Sequence, residues 1–211
     1  VDGAFGHGTH VAGLIRAVAP SAHILPFRVM DSEGRGRLFK ILLGLEAALE
    51  RDVDVVNLSF RLSQPSGLMD EVLDRLLARG IRVVAAAGNH PGEPVYPASH
   101  PGVLAVSASD GDLLASFSAR GDLAAPGVLV VSSYPGGLRA VASGTSMASA
   151  LVSGCVALLG PADPADPYGA ARLLESTATH LEDSEVGLVN PWAAVLGLTA
   201  VPAGSGGGSS R

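Results

Sequence analysis

Short, nearly continuous apolar runs alternate with amphipathic segments along the chain, and this alternation restricts the fold more than any other feature of the sequence. Such runs are typical of strands covered on both faces of a parallel sheet, and they occur at Ile24 to Val29, Val53 to Ser59, Ile81 to Ala87, Val103 to Ser107 and Val128 to Ser132. Apolar residues at helical spacing predict helices over Leu38 to Arg51 and Leu68 to Arg79. We therefore predict an α/β fold, a three-layer α/β/α sandwich around a mainly parallel sheet.

Composition narrows the class of protein further. The 211 residues are 47% hydrophobic and 16% charged, so we expect the chain to fold around a core. A formal net charge of -6 without a Lys/Arg cluster, together with few aromatic residues, argues against nucleic-acid binding. No apolar run is long enough to cross a bilayer, so no membrane segment is expected. We predict one domain over residues 1–200 and a flexible Gly/Ser-rich tail over residues 201–211.

The first motif that suggests chemistry is Gly-His-Gly-Thr-His-Val-Ala-Gly, which begins at Gly6. A local interpretation is a glycine-rich turn that opens a helix and carries two incidental histidines, His7 and His10. A phosphate-binding loop is a weaker interpretation, because the spacing of the established phosphate motifs is absent. On its own, this motif leaves both interpretations open.

The second motif is Val-Val-Ala-Ala-Ala-Gly-Asn, which ends at Asn89. A local interpretation is a strand that ends in an asparagine turn. The functional interpretation is an amide N–H that points from the carboxyl end of a strand toward a developing oxyanion. Parallel sheets bind their ligands at that end of their strands, so the position suits the functional interpretation.

The third motif is Ser-Gly-Thr-Ser-Met-Ala-Ser-Ala, which places Ser146 at the start of a segment that is apolar or small on every side. We predict a buried helix from Ser146 to Leu159. A local interpretation makes the serine a helix cap. In the functional interpretation the free N–H groups and the positive end of the helix dipole stabilise an oxyanion beside an attacking hydroxyl.

Together and in this order, the three motifs resemble the subtilisin-like serine protease family, the subtilases. The similarity continues through Tyr96-Pro97-Ala98 and Ala125-Pro126-Gly127, and it extends from Gly6 to about Trp192. The resemblance implies a subtilisin-like sandwich and a serine endopeptidase that hydrolyses peptide bonds through an acyl-enzyme. It also implies protein or peptide substrates, an upstream propeptide as a further candidate partner, secretion, and no cofactor.

The resemblance assigns roles to particular residues of this chain. His7 would be the general base, Ser146 the nucleophile, and Asn89 with the backbone N–H of Ser146 the oxyanion hole, whereas His10 would be structural. Residues at two edges would contact the substrate: Ser59, Phe60 and Arg61 at one, and Ala87 and Gly88 at the other.

Four departures from the family pattern qualify these roles. Only six residues precede His7, so the strand that carries the family's first catalytic aspartate is expected to be missing, and Asp2 lies on the wrong element. Bulky residues from Phe60 to Leu62 replace small ones, Ala150 and Leu151 replace proline and histidine, and the short connection after Gly13 has no room for the family's calcium loop. We therefore expect no metal site, with solvated carboxylates at Asp110, Asp112 and Asp122.

Two alternatives to an active protease remain open. The first is a catalytically impaired relative, a pseudoprotease that binds peptides or a protein partner. The absent aspartate and the altered Phe60 edge favour this relative, and they predict that the chain as written is weakly active and weakly soluble. The second is a nucleotide-binding α/β domain, which leaves the Asn89 and Ser146 motifs unexplained.

Overall fold

The computed structural model describes residues 5–160 and 168–199. The helices are α1 (His7–Val18), α2 (Leu38–Glu50), α3 (Gly67–Ala78), α4 (Thr145–Leu158), α5 (Gly169–Ser176) and α6 (Pro191–Thr199). The strands are β1 (Val55–Leu58), β2 (Arg82–Ala86), β3 (Leu104–Asp110), β4 (Leu113–Leu114), β5 (Leu123–Pro126), β6 (Val130–Tyr134), β7 (Leu138–Ala142), β8 (Thr179–Leu181) and β9 (Ser184–Leu188). Asp2 and the predicted tail lie outside the described residues.

Seven strands of the described residues form the main sheet, in the order β1-β2-β3-β5-β9-β8, with β4 paired to β3. The pairs from β1 to β9 along this order are parallel, whereas β4 and β8 run antiparallel to their neighbours. Val84 lies opposite Asn57 on one side and Leu104 on the other, which sets the register at the centre of the sheet. The mainly parallel sheet predicted from the apolar runs is therefore present.

The side chains of β2 divide the core into two layers, because successive residues of a strand point to opposite faces. Val83 and Ala85 belong to the cluster that α2 and α3 cover, whereas Val84 belongs to the cluster that α4 and α5 cover. Helices thus lie on both faces of the sheet. The predicted three-layer α/β/α sandwich is confirmed.

Helix α4 is the central helix of the molecule, since it packs on the sheet with one side and on α1 with another. The cluster of Val11, Leu14, Met147 and Ala150 joins the first halves of α1 and α4. Further along, a Cβ atom added at Gly154 would lie 2.6 Å from Cβ of Val18 and 3.2 Å from the carbonyl oxygen of Ile15. The two helices therefore run side by side in the same direction, and their N-termini lie at the same end.

This close approach predicts that alanine at Gly154 destabilises the fold. Alanine gains up to about 1 kcal/mol in helix propensity, but inserting a methyl group into a filled contact costs about 1–3 kcal/mol. We expect Gly154→Ala to lower the free energy of unfolding by roughly 1–2 kcal/mol in denaturant titrations. The matched control is Gly67→Ala, since no atom lies within 4 Å of a Cβ there. An equal or higher stability for Gly154→Ala than for Gly67→Ala would contradict the packing described.

The strand prediction for Ile24 to Val29 was wrong, and the one for Val128 to Ser132 was wrong in part. Residues 22–29 form no strand. They run beside α2, where Gly44 lies next to Phe27 and Val29, and they pair with no strand in the described part of the chain. The run from Val128 to Ser132 does contain a strand, β6, but it pairs antiparallel with β7 in a separate two-stranded sheet. Neither run is buried as a strand inside the sheet would be: Leu25 and Phe27 are 45% and 39% exposed, and Leu129 and Val131 are 72% and 54% exposed. An apolar run therefore does not by itself specify a buried strand or its pairing partner.

Candidate active site

His7 is the first residue of α1, and a glycine in a left-handed conformation precedes it. Gly6 has φ 80°, and a Cβ atom there would collide with the ring of Tyr134, so the turn requires glycine. The His7 side chain is half-buried. Burial, with a further contribution from the charge of His10, lowers the pKa of the His7 imidazole below its ordinary value of 6.5. The lowered pKa favours the neutral form of His7, which is the form that can accept a proton.

Ser146 is the second residue of α4, where the helix cannot supply an acceptor for the backbone N–H. Its hydroxyl donates to the carbonyl oxygen of Ser59 at 3.4 Å, and the hydroxyl of Ser59 lies 3.2 Å from the carbonyl oxygen of Ser146. No hydrogen bond joins Ser146 to His7 within residues 5–160 and 168–199. The parallel packing of α1 and α4 nevertheless brings the two residues to one end of the helix pair.

Asn89 follows β2, and Thr145 fixes the orientation of its side chain. The backbone N–H and the hydroxyl of Thr145 both donate to Oδ1 of Asn89, each at 2.9 Å. A backbone N–H can only donate, so the atom that accepts it is the amide oxygen and the Nδ2 group points elsewhere. The Thr145 hydroxyl in turn accepts from the N–H of Gly88 at 3.1 Å, which secures the amide to the first turn of α4.

Gly144 explains why the segment before α4 lies so near this amide. The residue has φ 150°, and a Cβ atom there would lie 3.1 Å from Nδ2 of Asn89. A side chain at this position would therefore obstruct the amide hydrogens. Among the described residues, neither the Nδ2 group of Asn89 nor the N–H of Ser146 has a hydrogen-bond partner, so both can donate near the first turn of α4.

The predicted edge from Ser59 to Arg61 leaves β1 toward this end of α4. Phe60 and Leu62 are half-buried against the core cluster between α2, α3 and the sheet. The N–H of Leu62 donates to the carbonyl oxygen of Tyr96 at 2.9 Å, which holds the segment in place. Arg61 is exposed between the two apolar side chains. The bulky apolar residues therefore turn toward the core, and Arg61 alone of the three faces water.

The second predicted edge, Ala87 and Gly88, lies deeper than the first. Ala87 is fully buried, and its N–H and carbonyl groups bond to Val106 and Val95. The N–H of Gly88 is used by Thr145, and its carbonyl oxygen accepts from Ala119. These two residues lie beneath the site, and their N–H groups already donate hydrogen bonds within the protein.

His10 has a different environment from His7. It is buried, and its Nε2 lies 3.2 Å from the carbonyl oxygens of Val130 in β6 and Ala140 in β7. Because both neighbours are acceptors, Nε2 must carry the hydrogen. The hydroxyl of Ser132 donates to the carbonyl oxygen of His10 at 2.8 Å. His10 thus attaches α1 to the two-stranded sheet, in keeping with a structural role.

Asp110, Asp112 and Asp122 do not form a ligand cluster. Asp122 accepts the N–H of Ala105 at 2.8 Å, so it has a partner of its own in the fold. Across the part of the chain that the structure describes, no group of three or more His, Cys, Asp or Glu side chains is arranged to hold a metal ion. In the same residues, every helix is too short or too polar to cross a bilayer.

Residues without a predicted role complete the surroundings of Ser146. Thr145 belongs to the third motif, but its contact with Asn89 depends on tertiary structure that the motif does not encode. Asn57, Ser149 and Ser153 form hydrogen bonds that lead toward Ser146. The spacing of the three serines of α4, at positions i, i+3 and i+7, is the sequence signal that identifies a shared helix face.

Comparison with known proteins places the chain among proteases of one family. The sequence profile of the subtilase family matches residues 1–190. Subtilisin BL of Lederbergia lenta is 40% identical over 207 residues, which cover 90% of this chain and 77% of the relative. Subtilisin E of Bacillus subtilis strain 168 is 40% identical over 210 residues, which cover 89% of this chain and 55% of the relative.

A solved structure gives the same result for the fold. The crystal structure of a cold adapted subtilisin-like serine proteinase matches with a TM-score of 0.79 and 31% identity, covering 90% of this chain and 74% of that one. The chain therefore spans 55% to 77% of the length of these relatives. On its sequence and on its fold, the chain belongs to the subtilase family.

Proposed function

We propose that the protein is a serine endopeptidase in which Ser146 is the nucleophile, His7 the general base, and Asn89 with the N–H of Ser146 the oxyanion hole. The observation that carries the proposal is a pair of hydrogen bonds: the backbone N–H and the hydroxyl of Thr145 both donate to Oδ1 of Asn89 at 2.9 Å. Because the amide oxygen is used in this way, the Nδ2 hydrogens of Asn89 can donate to a substrate at the N-terminus of α4, the helix that bears Ser146. Peptides or proteins are the substrates that follow from this assignment.

In the proposed first step, the imidazole of His7 accepts the proton of the Ser146 hydroxyl while Oγ bonds to the carbonyl carbon of the substrate. The carbonyl electrons move to its oxygen, which accepts hydrogen bonds from Asn89 and from the Ser146 N–H. The C–N bond then breaks, the amine leaves with the proton from His7, and an acyl-enzyme remains. Water attacks the ester by the same sequence and regenerates Ser146.

Acylation of Ser146 predicts a kinetic burst. With an activated 4-nitrophenyl ester, we expect rapid release of one equivalent of nitrophenol per active site, followed by slower turnover. Hydrolysis of a chromogenic peptide with the same pH dependence would support the assignment. Saturable peptide binding without a burst and without peptide hydrolysis would overturn it.

A second candidate function is that of a catalytically impaired relative that binds peptides or a protein partner. One observation favours it: within residues 5–160 and 168–199, no carboxylate forms a hydrogen bond or an ion pair with His7. A histidine without a carboxylate partner is less well oriented and forms a less stable imidazolium. In this case the peptide-binding edge at Ser59 remains, and turnover is near background.

The exposed side chain of Arg61 predicts a preference for acidic substrate residues. We expect Arg61→Gly to lower the ratio of kcat/KM for an acidic peptide to that for its neutral counterpart by a few-fold, since exposed charge pairs are weak. Arg61→Lys is the control because it keeps the charge. A ratio that both variants leave unchanged would show that the guanidinium does not meet the substrate.

The proposal includes localisation and maturation. We place the protein outside the cytoplasm and assign it an upstream propeptide as a partner, because both are usual in this family. The domain assignment, one peptidase domain over residues 1–200, belongs to the same proposal.

A further inference from the structure

One face of α4 carries three hydroxyl groups, and all of them face the carboxyl end of β1. Ser146, Ser149 and Ser153 occupy positions i, i+3 and i+7, so they lie in line along the helix. Asn57 and Ser59 are two residues apart at the end of β1 and therefore point to the same side. Ser149 and Ser153 are 0% and 2% exposed, whereas the other three residues are half-buried. These five residues, here called the polar seam, therefore extend from the core to the partly exposed Ser146.

Four of these side chains, those of Ser153, Asn57, Ser59 and Ser149, form one continuous chain of hydrogen bonds that ends on the backbone carbonyl of Ser146. Ser153 donates to Oδ1 of Asn57 at 3.0 Å, and Nδ2 of Asn57 donates to the hydroxyl of Ser59 at 2.9 Å. The hydroxyls of Ser59 and Ser149 are 3.0 Å apart, and each lies within reach of the carbonyl oxygen of Ser146, at 3.2 and 3.1 Å. The seam therefore ends on the residue that carries the proposed nucleophile.

The number of available protons requires that at least one hydroxyl of the seam donates to the carbonyl oxygen of Ser146. The hydroxyl of Ser59 has one proton, which goes either to the Ser146 carbonyl or to Ser149. If it goes to Ser149, the proton of Ser149 must go to the Ser146 carbonyl, because two protons cannot share one O–O contact. Every allowed arrangement thus gives the Ser146 carbonyl at least one hydroxyl donor, and Asn57 secures Ser59 in each of them.

Ser59 also contacts the nucleophile through its main chain, since its carbonyl oxygen accepts the Ser146 hydroxyl at 3.4 Å. The position of this carbonyl depends on the Ser59 side chain, which Asn57 and Ser149 hold. We propose that Asn57 and Ser149 are positioning residues for Ser146: through Ser59 they fix the position of the Ser146 Oγ atom, whose proton turns from the Ser59 carbonyl to His7 before it is transferred. This inference rests on the proposed function, because it gives the seam a role only if Ser146 reacts.

The seam has a geometric role beyond stability. Polar groups inside an apolar core contribute little net free energy when their bonds are satisfied, and apolar residues of similar shape stabilise a core comparably. What the hydrogen bonds add is direction, because they act only over a narrow range of distances and angles. Because the seam ends on Ser146, its directional hydrogen bonds hold the reacting oxygen in one position.

The experiment is active-site titration with a fluorophosphonate, measured on the protein and on its Ser149→Ala and Asn57→Leu variants. The final amount of adduct counts folded active sites, whereas the rate of its formation reports the position of the Ser146 hydroxyl. We expect each variant to react roughly three- to tenfold more slowly at full amplitude, with kcat for a peptide lowered in parallel and KM unchanged. Because both act through Ser59, the double variant should lose less than the product of the two effects.

Ser109→Ala is the matched control, since Ser109 is a buried serine of β3 whose hydroxyl has no partner among the described residues. It should react at the unsubstituted rate. Unchanged rates in Ser149→Ala and Asn57→Leu, in a protein that itself reacts at Ser146, would overturn this inference alone. Absence of reaction in the unsubstituted protein would overturn the proposed function and this inference with it. If Ser149→Ala loses amplitude through misfolding, the rate for Asn57→Leu decides.

Discussion

Replacing His7 with alanine is expected to lower kcat by about 10²- to 10⁴-fold, the usual contribution of a general acid–base group. The side chain lies at the N-terminus of α1, beside the N-terminus of α4, and is the titratable group assigned to accept the Ser146 proton. The measurement is kcat for a chromogenic peptide. His10→Ala is an unsuitable control because His10 joins α1 to β6 and β7, so His23→Ala, an exposed substitution, serves instead. Equal losses in both variants would remove His7 from the mechanism.

The pH profile gives an independent test of His7. Burial lowers its pKa below 6.5, and only the neutral imidazole accepts a proton, so activity is retained until the pH falls through this lowered value. We expect the acidic limb of kcat/KM to have its midpoint below 6.5. The same shift destabilises the fold below about pH 6.5, where the unfolded chain binds more protons than the folded one. A midpoint above 6.5 would indicate a carboxylate beside His7 and would count against the impaired relative.

Replacing Asn89 with leucine is expected to lower kcat by about a hundred- to a thousandfold while KM changes little. The range is the one known for the oxyanion asparagine of subtilisin itself and serves here as a scale. The physical reason is that the Nδ2 group meets charge that exists only in the transition state, whereas leucine of similar size has no donor. Thr145 would also lose the acceptor for two donors, so a modest loss of stability should accompany the kinetic effect.

His90→Ala is the control for Asn89, because His90 is the exposed neighbour in the same loop. It should keep kcat within about twofold, as surface substitutions away from a site usually do. A large increase in KM for Asn89→Leu, with kcat unchanged, would instead mean that the amide binds substrate in its ground state.

The sequence could predict on which element each candidate site residue lies, because each belongs to a continuous motif at the end of one element. His7 is the first residue of α1, Ser146 the second residue of α4, and Asn89 follows β2, as the local sequence predicts. Their roles came only from the resemblance of the three motifs together and stay predictions. The contact between Thr145 and Asn89 and the seam from Ser153 to Ser146 could not be predicted in the same way. They depend on how α4 is rotated against β1, which is set by packing over the whole core.

The fold was predictable to a similar extent and for similar reasons. The buried strand β2 and the helices α2 and α3 have strong periodic patterns, and the predicted bounds agree with the structure to within about a residue. Short strands such as β5 and β8 have too few residues for a pattern, so they escaped prediction. The segment from Ile24 to Val29 has the apolar pattern of a strand, but Phe27 and Val29 lie beside Gly44 of α2, and no strand among the described residues pairs with the segment.

The central claim is that Ser146 is the nucleophile, and the most direct test is to locate the adduct that a fluorophosphonate forms. Digestion and mass spectrometry of the treated protein identify the modified residue. The account predicts a single adduct on Ser146, which is absent from Ser146→Ala and forms more slowly in His7→Ala. Persistent labelling of Ser146→Ala, or an adduct on another serine of α4 such as Ser149, would contradict it.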